Sequence, residues 1–208
     1  MKLTNTVCNL SLNKDNIDKD PIAQFKTWFN DALVAKLAYH DAMSLATVSA
    51  EGRPSGRIVL LRGVDDRGFV FYTNYNSRKS KELEANPHAS LTFVWLGLER
   101  QVRIEGRVSR VSPEESDTYF KSRPRGSQIG ALASSQSEVL VSRDELEVKF
   151  ASVTAAYEGK EIPRPSHWGG YRVKPVRIEF WDNRANRLHD RIVFNDREGG
   201  WKIDRLAP

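Results

Sequence analysis

The sequence is poor in the residue types that cross-link a protein or anchor it in a membrane. It contains one cysteine, Cys8, among 208 residues, which excludes an internal disulfide framework and a cysteine-rich metal site. No apolar run approaches the roughly 20 residues that span a bilayer, and residues 1–20 lack the apolar core of a signal peptide. We therefore expect a cytoplasmic protein without a bound metal, in which Cys8 is a bystander thiol and not a nucleophile.

The composition is that of a globular protein with a basic charge balance. Hydrophobic residues make up 39% of the chain and charged residues 28%, and the net charge is +5, which favours an anionic partner. Lysines and arginines recur singly within apolar stretches and do not form a tail. This distribution favours discrete phosphate sites for a small molecule over a continuous nucleic-acid surface.

The apolar pattern predicts one domain from residue 20 to residue 208, preceded by a flexible polar leader at 1–19. Asp20 and Pro21 are typical of a helix N-cap and first helical position, and apolar residues then recur at helical spacing as far as Leu37. Strand-like runs lie at 43–50, 55–62, 68–74, 89–95 and 100–111, and strands return towards the C-terminus.

Two serine-to-glutamate capping boxes, at 112–115 and 142–145, predict two later helices. Short strands with interspersed helices indicate a closed or partly closed barrel, not a doubly wound parallel sheet. The predicted fold class is therefore α+β and mostly β.

The first candidate segment is an apolar strand that runs from Arg57 to Arg62, with a cation at each end. Side chains alternate across a sheet, so the two arginines point to opposite faces of a regular strand. Both reach one ligand only if the strand bends or ends between them. Ordinary solvation of the strand ends is the alternative, and this segment alone leaves the choice open.

The second candidate segment follows Tyr72 and Thr73, where Ser77 is a suitable N-cap for a helix. Arg78 and Lys79 fall in the first turn of that helix, where cations oppose the helix dipole unless an anion is bound. Free amides, a hydroxyl and two cations predict a phosphate site here. We favour this interpretation over a solvated turn.

A second phosphate site is predicted at Tyr119, Arg123 and Ser127, which are spaced four residues apart. On one continuous helix a phenol, a guanidinium and a hydroxyl at this spacing share a face. Pro124 is expected to interrupt the helix, so the shared face is approximate. A polar loop between helices is the alternative.

Two further segments carry polar residues on a predicted strand face. Gln101 has an amide that both donates and accepts hydrogen bonds, which is a weak signal by itself. If residues 187–191 form a strand, Arg187, His189 and Arg191 share one face and Leu188 lies on the other. Two cations beside an imidazole suit an anionic, electron-poor ligand. A solvated face on an edge strand is the alternative, and the pentapeptide alone leaves both open.

In their order along the chain, these segments resemble the pyridoxamine/pyridoxine 5'-phosphate oxidase family of FMN enzymes. The resemblance extends from about residue 20 to the C-terminus, which makes it highly specific. The matching segments are 57–61, 69–74, 77–79, 98–102, 119–130, 136–137, 168–170, 178–181, 187–191 and 201–208.

The resemblance implies an FMN-binding split barrel with flanking helices, in a homodimer that binds FMN at the subunit interface. It implies oxidation of pyridoxamine 5'-phosphate and pyridoxine 5'-phosphate to pyridoxal 5'-phosphate, with O2 reduced to H2O2 and with no nucleic acid or membrane as partner. The residues that it assigns to FMN are Arg57, Ile58, Val59, Leu60, Leu61, Arg62, Tyr72, Thr73, Arg78, Lys79, Gln101, Gln136, Ser137, Trp181 and Arg191. Those that it assigns to the substrate are Arg62, Tyr119, Arg123, Ser127, Arg187, Leu188 and His189.

The resemblance also implies catalytic roles and shows two departures. Arg187 and His189 are expected to lie against the substrate ring while the flavin performs the redox chemistry. Arg62 stands where lysine is common in the family, and a planar guanidinium does not replace an ammonium atom for atom. The leader at 1–19 lacks the segment containing arginine and tyrosine that some members fold over the substrate, so a lid role is in doubt.

Three other functions account for parts of the sequence. A related FMN oxidase of the phenazine-biosynthesis type would share the fold, but it is expected to differ at substrate positions that all match here: Tyr119, Arg123, Ser127, Arg187 and His189. A non-catalytic flavin or pyridoxal phosphate carrier would bind its ligand without turnover. A nucleic-acid-binding barrel would explain the basic charge but not the ordered match. The vitamin B6 oxidase is the expected function.

Overall fold

The computed structural model describes residues 11–208, so Cys8 and the first half of the predicted leader lie outside the described residues. Within this range the α-helices are α1 (Pro21–Val34), α2 (Arg78–Ala85), α3 (Pro113–Ser122), α4 (Arg125–Ala133) and α5 (Arg143–Ala156). The strands are β1 (Ala42–Val48), β2 (Pro54–Leu60), β3 (Gly63–Asp65), β4 (Gly68–Asn74), β5 (His88–Trp95), β6 (Arg100–Arg110), β7 (Trp168–Asp182), β8 (Asp190–Arg197) and β9 (Gly200–Arg205). Short 3-10 turns lie at Leu96–Leu98 and Ala185–Arg187.

The strands form one antiparallel sheet in the order β2-β1-β5-β6-β7-β4-β3, with β8 and β9 added beside β7. Strand β7 is long enough to pair with β6 on one edge and with both β4 and β8 on the other. The Arg62 amide donates to the Val70 carbonyl at 2.8 Å, which ties the chain after β2 to β4 near the far end of the order. The sheet therefore curls into a partly closed barrel, which confirms the predicted α+β, mostly β class.

A β-bulge bends the long strands at the centre of the sheet. The pairing register between β6 and β7 shifts at Glu105 and Gly106, and bulges of this kind increase local twist. A Cβ atom at Gly106 would clash with the Lys174 carbonyl oxygen. Glycine is therefore required here for the two backbones to approach each other.

The predicted helix starts are confirmed at the level of individual hydrogen bonds. The Asp20 side chain accepts a hydrogen bond from the backbone amide two residues later at 2.8 Å. The Ser112 and Ser142 side chains each accept one from the backbone amide three residues later, at 3.1 and 3.3 Å. Ser77 is at the N-cap position of α2, but its side chain makes no capping bond. Its hydroxyl contacts the Ser80 hydroxyl at 3.1 Å instead. The predicted N-cap position of Ser77 is therefore confirmed, but its side chain does not form the hydrogen bond typical of an N-cap.

Helix α1 ends at Val34, although apolar spacing predicted helix as far as Leu37. Lys36 adopts a left-handed conformation with φ of 53°. The amides of Lys36 and Leu37 then donate back to the carbonyls of Leu33 and Ala32 at 2.9 and 3.1 Å. This is a Schellman ending, which satisfies the last helical carbonyls without a glycine.

The core lies between α1 and the concave face of the sheet. Phe25 of α1 packs edge-on against Phe69 of β4, with ring centroids 4.8 Å apart, and against Phe93 of β5 at 5.0 Å. All three side chains are fully buried, and each contributes about 1.5–3 kcal/mol by leaving water. This packing holds the strands that carry the candidate site in fixed positions.

The described half of the predicted leader packs against the barrel. Leu12 and Ile17 are buried in the main core, and the Arg205 guanidinium donates to the Leu12 carbonyl at 2.7 Å. The domain boundary at residue 19 remains a prediction. Among residues 11–208, no helix is both long and apolar enough to cross a membrane.

Candidate active site

A cleft of about 710 Å³ lies where the end of β2, strand β4 and the helices α2, α3 and α4 meet. The sequence-predicted residues that line it are Arg57, Ile58, Val59, Leu60, Arg62, Tyr72, Thr73, Lys79, Tyr119, Arg123, Ser127 and Gln136. Ser122, Pro124 and Trp168 complete the wall. The fold therefore brings residues from separate predicted segments to one cavity.

The end of β2 carries both arginines of the first candidate segment into the cleft. The strand stops at Leu60, and Arg57 and Arg62 both line the cavity. The sequence predicted that one ligand could contact both arginines only if the strand bent or ended between them, and the structure meets this condition. Arg62 donates to Asp41 at 2.8 Å. Leu61 is different, because its side chain is buried in the main core and does not line the cleft.

Lys79 is the centre of a polar cluster at the start of α2. Its ammonium lies 2.7 Å from Gln136 Oε1, 3.0 Å from Thr73 Oγ1 and 3.2 Å from Ser77 Oγ. Burial, and then the charge of Arg57, lower the pKa of Lys79 to about 8. Within the described part of the chain, no carboxylate forms an ion pair with this ammonium. A half-buried cation whose hydrogen-bond partners are all neutral oxygens suits an incoming anion.

A buried carboxylate, Glu82, lies next to this cationic cluster. It accepts hydrogen bonds from the hydroxyls of Thr47 and Ser55 at 2.5 and 2.6 Å, from Arg78 Nε at 2.9 Å and from Arg57 Nη2 at 3.2 Å. Burial acts to raise the pKa of Glu82, but these hydrogen bonds outweigh burial and lower the pKa to about 2. Glu82 is therefore ionised at neutral pH.

Stacked aromatic rings form another wall of the cleft. The Tyr72 and Tyr119 rings are parallel to within 17°, with centroids 3.9 Å apart, and the Trp168 ring stacks on Tyr72 at 5.5 Å. Burial, followed by the charge of Glu115, raises the pKa of Tyr72 to about 12, so its hydroxyl keeps its proton. A Cβ at Gly170 would lie 2.7 Å from the Tyr72 ring, which explains glycine beside the stack.

Arg123 crosses this wall as a half-buried cation. Its guanidinium carbon lies 4.5 Å from the centroid of the Trp168 ring, and its Nη1 atom is buried without a hydrogen-bond partner among residues 11–208. Burial lowers the pKa of Arg123. Pro124 separates α3 from α4, as predicted, and Ser127 lies in the first turn of α4, also facing the cleft. An unpaired buried guanidinium nitrogen needs an acceptor, which a phosphate supplies.

Two predicted cofactor residues line a neighbouring cavity of about 570 Å³. Arg78 extends into it from the start of α2, and Ser137 borders it with φ of 76°. Glu82 also lines this second cavity. Because Arg57 lines the cleft and hydrogen-bonds to the same carboxylate, Glu82 links the two cavities.

Another group of predicted residues lies elsewhere on the sheet. Gln101, Trp181 and Arg191 are direct neighbours across β6, β7 and β8. Gln101 and Trp181 line a separate cavity of about 210 Å³. Arg191 donates to the buried carboxylate of Glu179 at 2.8 Å. Within one chain these residues do not line the cleft.

The prediction of a strand over residues 187–191 is wrong for its first three residues. Strand β8 begins at Asp190, and Arg187 closes a 3-10 turn in which Asn186 and Arg187 have φ of 58° and 62°. The chain must reverse direction between the antiparallel strands β7 and β8, so these residues form the connection. The single face predicted for Arg187, His189 and Arg191 is therefore also wrong.

The side chains of this turn lie near the Gln101, Trp181 and Arg191 row. The His189 ring packs on the Trp181 ring with centroids 4.5 Å apart, and the Arg184 amide donates to His189 Nδ1 at 3.2 Å. Arg187 and Leu188 are exposed. The predicted catalytic residues thus belong to the second group and not to the cleft of the same chain.

Sequence reasoning missed two residues that matter for the cleft. Trp168 belongs to a segment that resembles the family, but its stacking on Tyr72 and Arg123 depends on tertiary packing. Glu82 had a detectable signal, because it lies four residues after Arg78 on a predicted helix, where opposite charges pair. The hydrogen bonds of Glu82 to Thr47 and Arg57 come from distant strands and had no sequence signal.

Comparison with known proteins now decides the family. Residues 29–157 match the family model described as pyridoxamine 5'-phosphate oxidase. Residues 168–208 match the model described as the pyridoxine 5'-phosphate oxidase C-terminal dimerisation region. This chain belongs to the pyridoxamine 5'-phosphate oxidase family. Apart from Gln101, the second group of predicted residues lies within the part of the chain that matches this dimerisation region.

Relatives in this oxidase family align over nearly the whole chain. The pyridoxine/pyridoxamine 5'-phosphate oxidase of Rubrobacter xylanophilus is 57% identical over 95% of this chain and 91% of its own length. The protein of the same name from Paraburkholderia phytofirmans is 56% identical, over 95% of this chain and 93% of its own length. The resemblance seen in the sequence is confirmed.

Solved structures confirm the predicted split-barrel fold of the family. The crystal structure of PhzG from Burkholderia lata, in complex with tetrahydrophenazine-1-carboxylic acid, superimposes with a TM-score of 0.91. PhzG is 32% identical to this chain, and the match covers 96% of this chain and 98% of that chain. An FMN binding protein from Nostoc punctiforme has a TM-score of 0.71 at 16% identity, covering 88% of this chain and 97% of its own, and supports the fold alone.

Proposed function

We propose that this chain is an FMN-dependent oxidase that converts pyridoxamine 5'-phosphate and pyridoxine 5'-phosphate to pyridoxal 5'-phosphate while O2 is reduced to H2O2. The observation that carries the proposal is a pair of half-buried cations in one cleft. Lys79 lies on α2 and Arg123 lies between α3 and α4, and neither forms an ion pair within residues 11–208. A cofactor and a substrate that each carry a phosphate require two such positions.

The cluster around Lys79 fits the phosphate of FMN. Lys79 and Arg78 are cations at a helix start, Thr73 and Ser77 provide hydroxyls, and no carboxylate within the described residues neutralises Lys79. The end of β2 adds apolar surface, because Ile58 is 66% exposed and lines the cleft. When bound, FMN supplies a two-electron acceptor that O2 reoxidises.

The cluster around Arg123 fits the phosphate of the substrate. Arg123 Nη1 is already buried and lacks an acceptor, so a phosphate oxygen there satisfies a group that otherwise costs free energy. Tyr119 and Ser127 line the same part of the cleft and add hydroxyl donors. Arg62 adds a second cation and keeps the charge of the lysine that is common at this position.

A homodimer accounts for the residues that do not line the cleft. Gln101, Trp181, Arg191 and the turn with Arg187 and His189 line a different part of each chain. The C-terminal dimerisation region that matches residues 168–208 supports pairing of two copies. In the proposed dimer, this group of one subunit meets the cleft of the other, and FMN and substrate bind between them.

Arg187 and His189 are the proposed catalytic residues, lying against the substrate ring. His189 Nδ1 accepts the Arg184 amide hydrogen, so a neutral His189 carries its proton on Nε2 and donates from that atom. The Trp181 ring fixes the plane of the imidazole. Arg187 is exposed in the isolated chain and is therefore free to cover a ligand in the dimer.

The proposal is tested by anaerobic titration of the FMN-loaded protein with pyridoxine 5'-phosphate, followed by admission of air. The visible absorbance of the oxidised flavin should bleach and then recover, with pyridoxal 5'-phosphate and H2O2 as products. A flavin that stays oxidised with both phosphorylated vitamers would contradict the proposal. The family fold would then stand with another substrate, such as the phenazine precursor type, or with a carrier role.

A further inference from the structure

Glu82 is a buried carboxylate that the proposed reaction does not use. It is 6% exposed and accepts hydrogen bonds from four side chains on three elements, Thr47 of β1, Ser55 and Arg57 of β2, and Arg78 of α2. A carboxylate so close to a phosphate site needs an explanation. Burial of an anion costs free energy, and like charges repel.

The network around Glu82 holds Arg57 rigidly. Arg57 Nη1 donates to Thr47 Oγ1 at 2.5 Å, and Arg57 Nη2 donates to Ser55 Oγ at 2.5 Å. Both hydroxyls in turn bond to Glu82. The guanidinium is therefore held by a closed set of hydrogen bonds, and rotation of its side chain would break several of them.

The same carboxylate holds Arg78 by one edge only. Arg78 Nε donates to Glu82 Oε1 at 2.9 Å, while Arg78 Nη1 and Nη2 form no hydrogen bond with residues 11–208. The Arg78 side chain is 67% exposed, so it would otherwise sample many rotamers. Glu82 leaves the outer nitrogens of Arg78 available to an anion and removes part of the entropy cost of binding one.

We propose that Glu82 is a positioning residue for the cofactor phosphate, because it fixes the guanidinium groups of Arg57, which lines the cleft with Lys79, and of Arg78, which lines the neighbouring cavity. This inference rests on the proposed function, in which the cluster at the start of α2 binds FMN. Glu82 acts through the two arginines and does not touch the ligand. The negative charge of Glu82 repels the phosphate and so opposes binding. The fixed positions of the two arginines favour binding, because their side chains lose less conformational entropy when the phosphate binds.

Charge repulsion by Glu82 and positioning of the arginines by Glu82 have opposite effects on FMN affinity, which makes the inference testable. If charge alone decided, removal of the Glu82 carboxylate would tighten FMN binding, because one repulsion with the phosphate disappears. If positioning decides, the isosteric change Glu82→Gln weakens FMN binding. We expect a loss of about tenfold in FMN affinity, the effect of about one charge-assisted hydrogen bond.

The experiment measures the Kd of FMN and of riboflavin for the full-length, flavin-free chain by quenching of flavin fluorescence. Riboflavin lacks the phosphate, so Glu82→Gln should leave the Kd of riboflavin within about twofold of the wild-type value, which corresponds to a free-energy change smaller than RT. The matched control is Glu84→Gln on the same helix. Glu84 pairs with Arg110 at 2.9 Å and Tyr171 at 2.8 Å, outside the cluster, and this variant should bind both flavins as the wild type does.

Three results would overturn the inference: unchanged or tighter FMN binding in Glu82→Gln, an equal loss for both flavins, or the same FMN loss in Glu84→Gln. If Glu82→Gln fails to fold, Thr47→Val replaces it. This variant removes one donor to Glu82 and one acceptor for Arg57, and it should weaken FMN but not riboflavin. Failure of the proposed function looks different, because it appears in the wild-type chain, which would either not bind FMN or bind an FMN that stays oxidised with both phosphorylated vitamers.

Discussion

The guanidinium carbon of Arg123 lies 4.5 Å from the centroid of the Trp168 ring, and one nitrogen of that guanidinium is buried without a hydrogen-bond partner in the described range 11–208. The indole face compensates part of the charge, but it accepts no hydrogen bond in the plane of the guanidinium. Trp168 is itself stacked on Tyr72. The packing of these rings therefore holds the guanidinium in place before a ligand binds, and its unpaired nitrogen can donate a hydrogen bond to an anion.

Arg123→Gln should therefore raise the KM for pyridoxine 5'-phosphate by about 10–100-fold, the effect of losing one or two hydrogen bonds to a charged group. The FMN content should be unchanged, because Arg123 lies in the substrate cluster. Steady-state kinetics with flavin quantification measures both. Lys121→Gln is the control, since Lys121 is exposed and pairs with Glu161 at 3.3 Å. Loss of FMN from Arg123→Gln would move this residue to the cofactor site.

Lys79 predicts a pH dependence of FMN binding. Burial, and then Arg57, lower its pKa to about 8 in the free protein, and a bound phosphate favours the ammonium, so the pKa is higher in the complex. FMN affinity should be constant below pH 8 with respect to this group and fall above it, by at most about tenfold per pH unit. Fluorescence titrations between about pH 7 and pH 10 check this, a range that brackets the lowered pKa of Lys79.

The control for the Lys79 prediction is a neighbouring lysine. Lys79→Gln should bind FMN more weakly at pH 7 and should lose the fall above pH 8. Lys81→Gln, an exposed position on the same helix, should keep it. A wild-type profile that stays flat to pH 10 would show that Lys79 does not bind the phosphate.

Mixed dimers test whether each site is shared between subunits. Arg123→Gln impairs the cleft and Arg187→Ala impairs the turn, so each homodimer should be nearly inactive at substrate concentrations well below the wild-type KM. Random mixing makes about half of the dimers heterodimers, each with one intact site of two, so about a quarter of wild-type activity should return. Co-expression of two differently tagged variants provides the sample. No recovery would mean that Arg123 and Arg187 serve the same subunit's site.

Phe25 tests the core that holds the strands of the cleft. Phe25→Ala should lower the free energy of unfolding by about 3–5 kcal/mol, because a fully buried ring is replaced by a cavity. Leu33→Ala on the same helix should cost well under half of that, since Leu33 is 50% exposed. Urea unfolding followed by tryptophan fluorescence compares them. Equal losses would indicate that α1 is not held by the Phe25 cluster.

Several features were predictable because their causes are local. A serine accepts the amide three residues on, whatever surrounds it, so the helix starts at Ser112 and Ser142 were predicted correctly. Alternation of apolar residues predicted the strands for a similar reason. The extension of the turn before β8 over residues 187–189 was missed because basic side chains at every second position, Arg187, His189 and Arg191, fit the spacing of a strand face. Only the reversal between β7 and β8 excludes a strand there.

Residue types at short spacing were sufficient to identify the family and the order of its matching segments, and to predict two phosphate sites. Only the tertiary structure decided which segments share a cavity. It placed Lys79 and Arg123 in one cleft, buried Leu61, and put Trp181 and His189 elsewhere. The physical reason is that contacts such as those of Glu82 with Thr47 and Arg57 depend on strand pairing and barrel curvature, which no local pattern encodes.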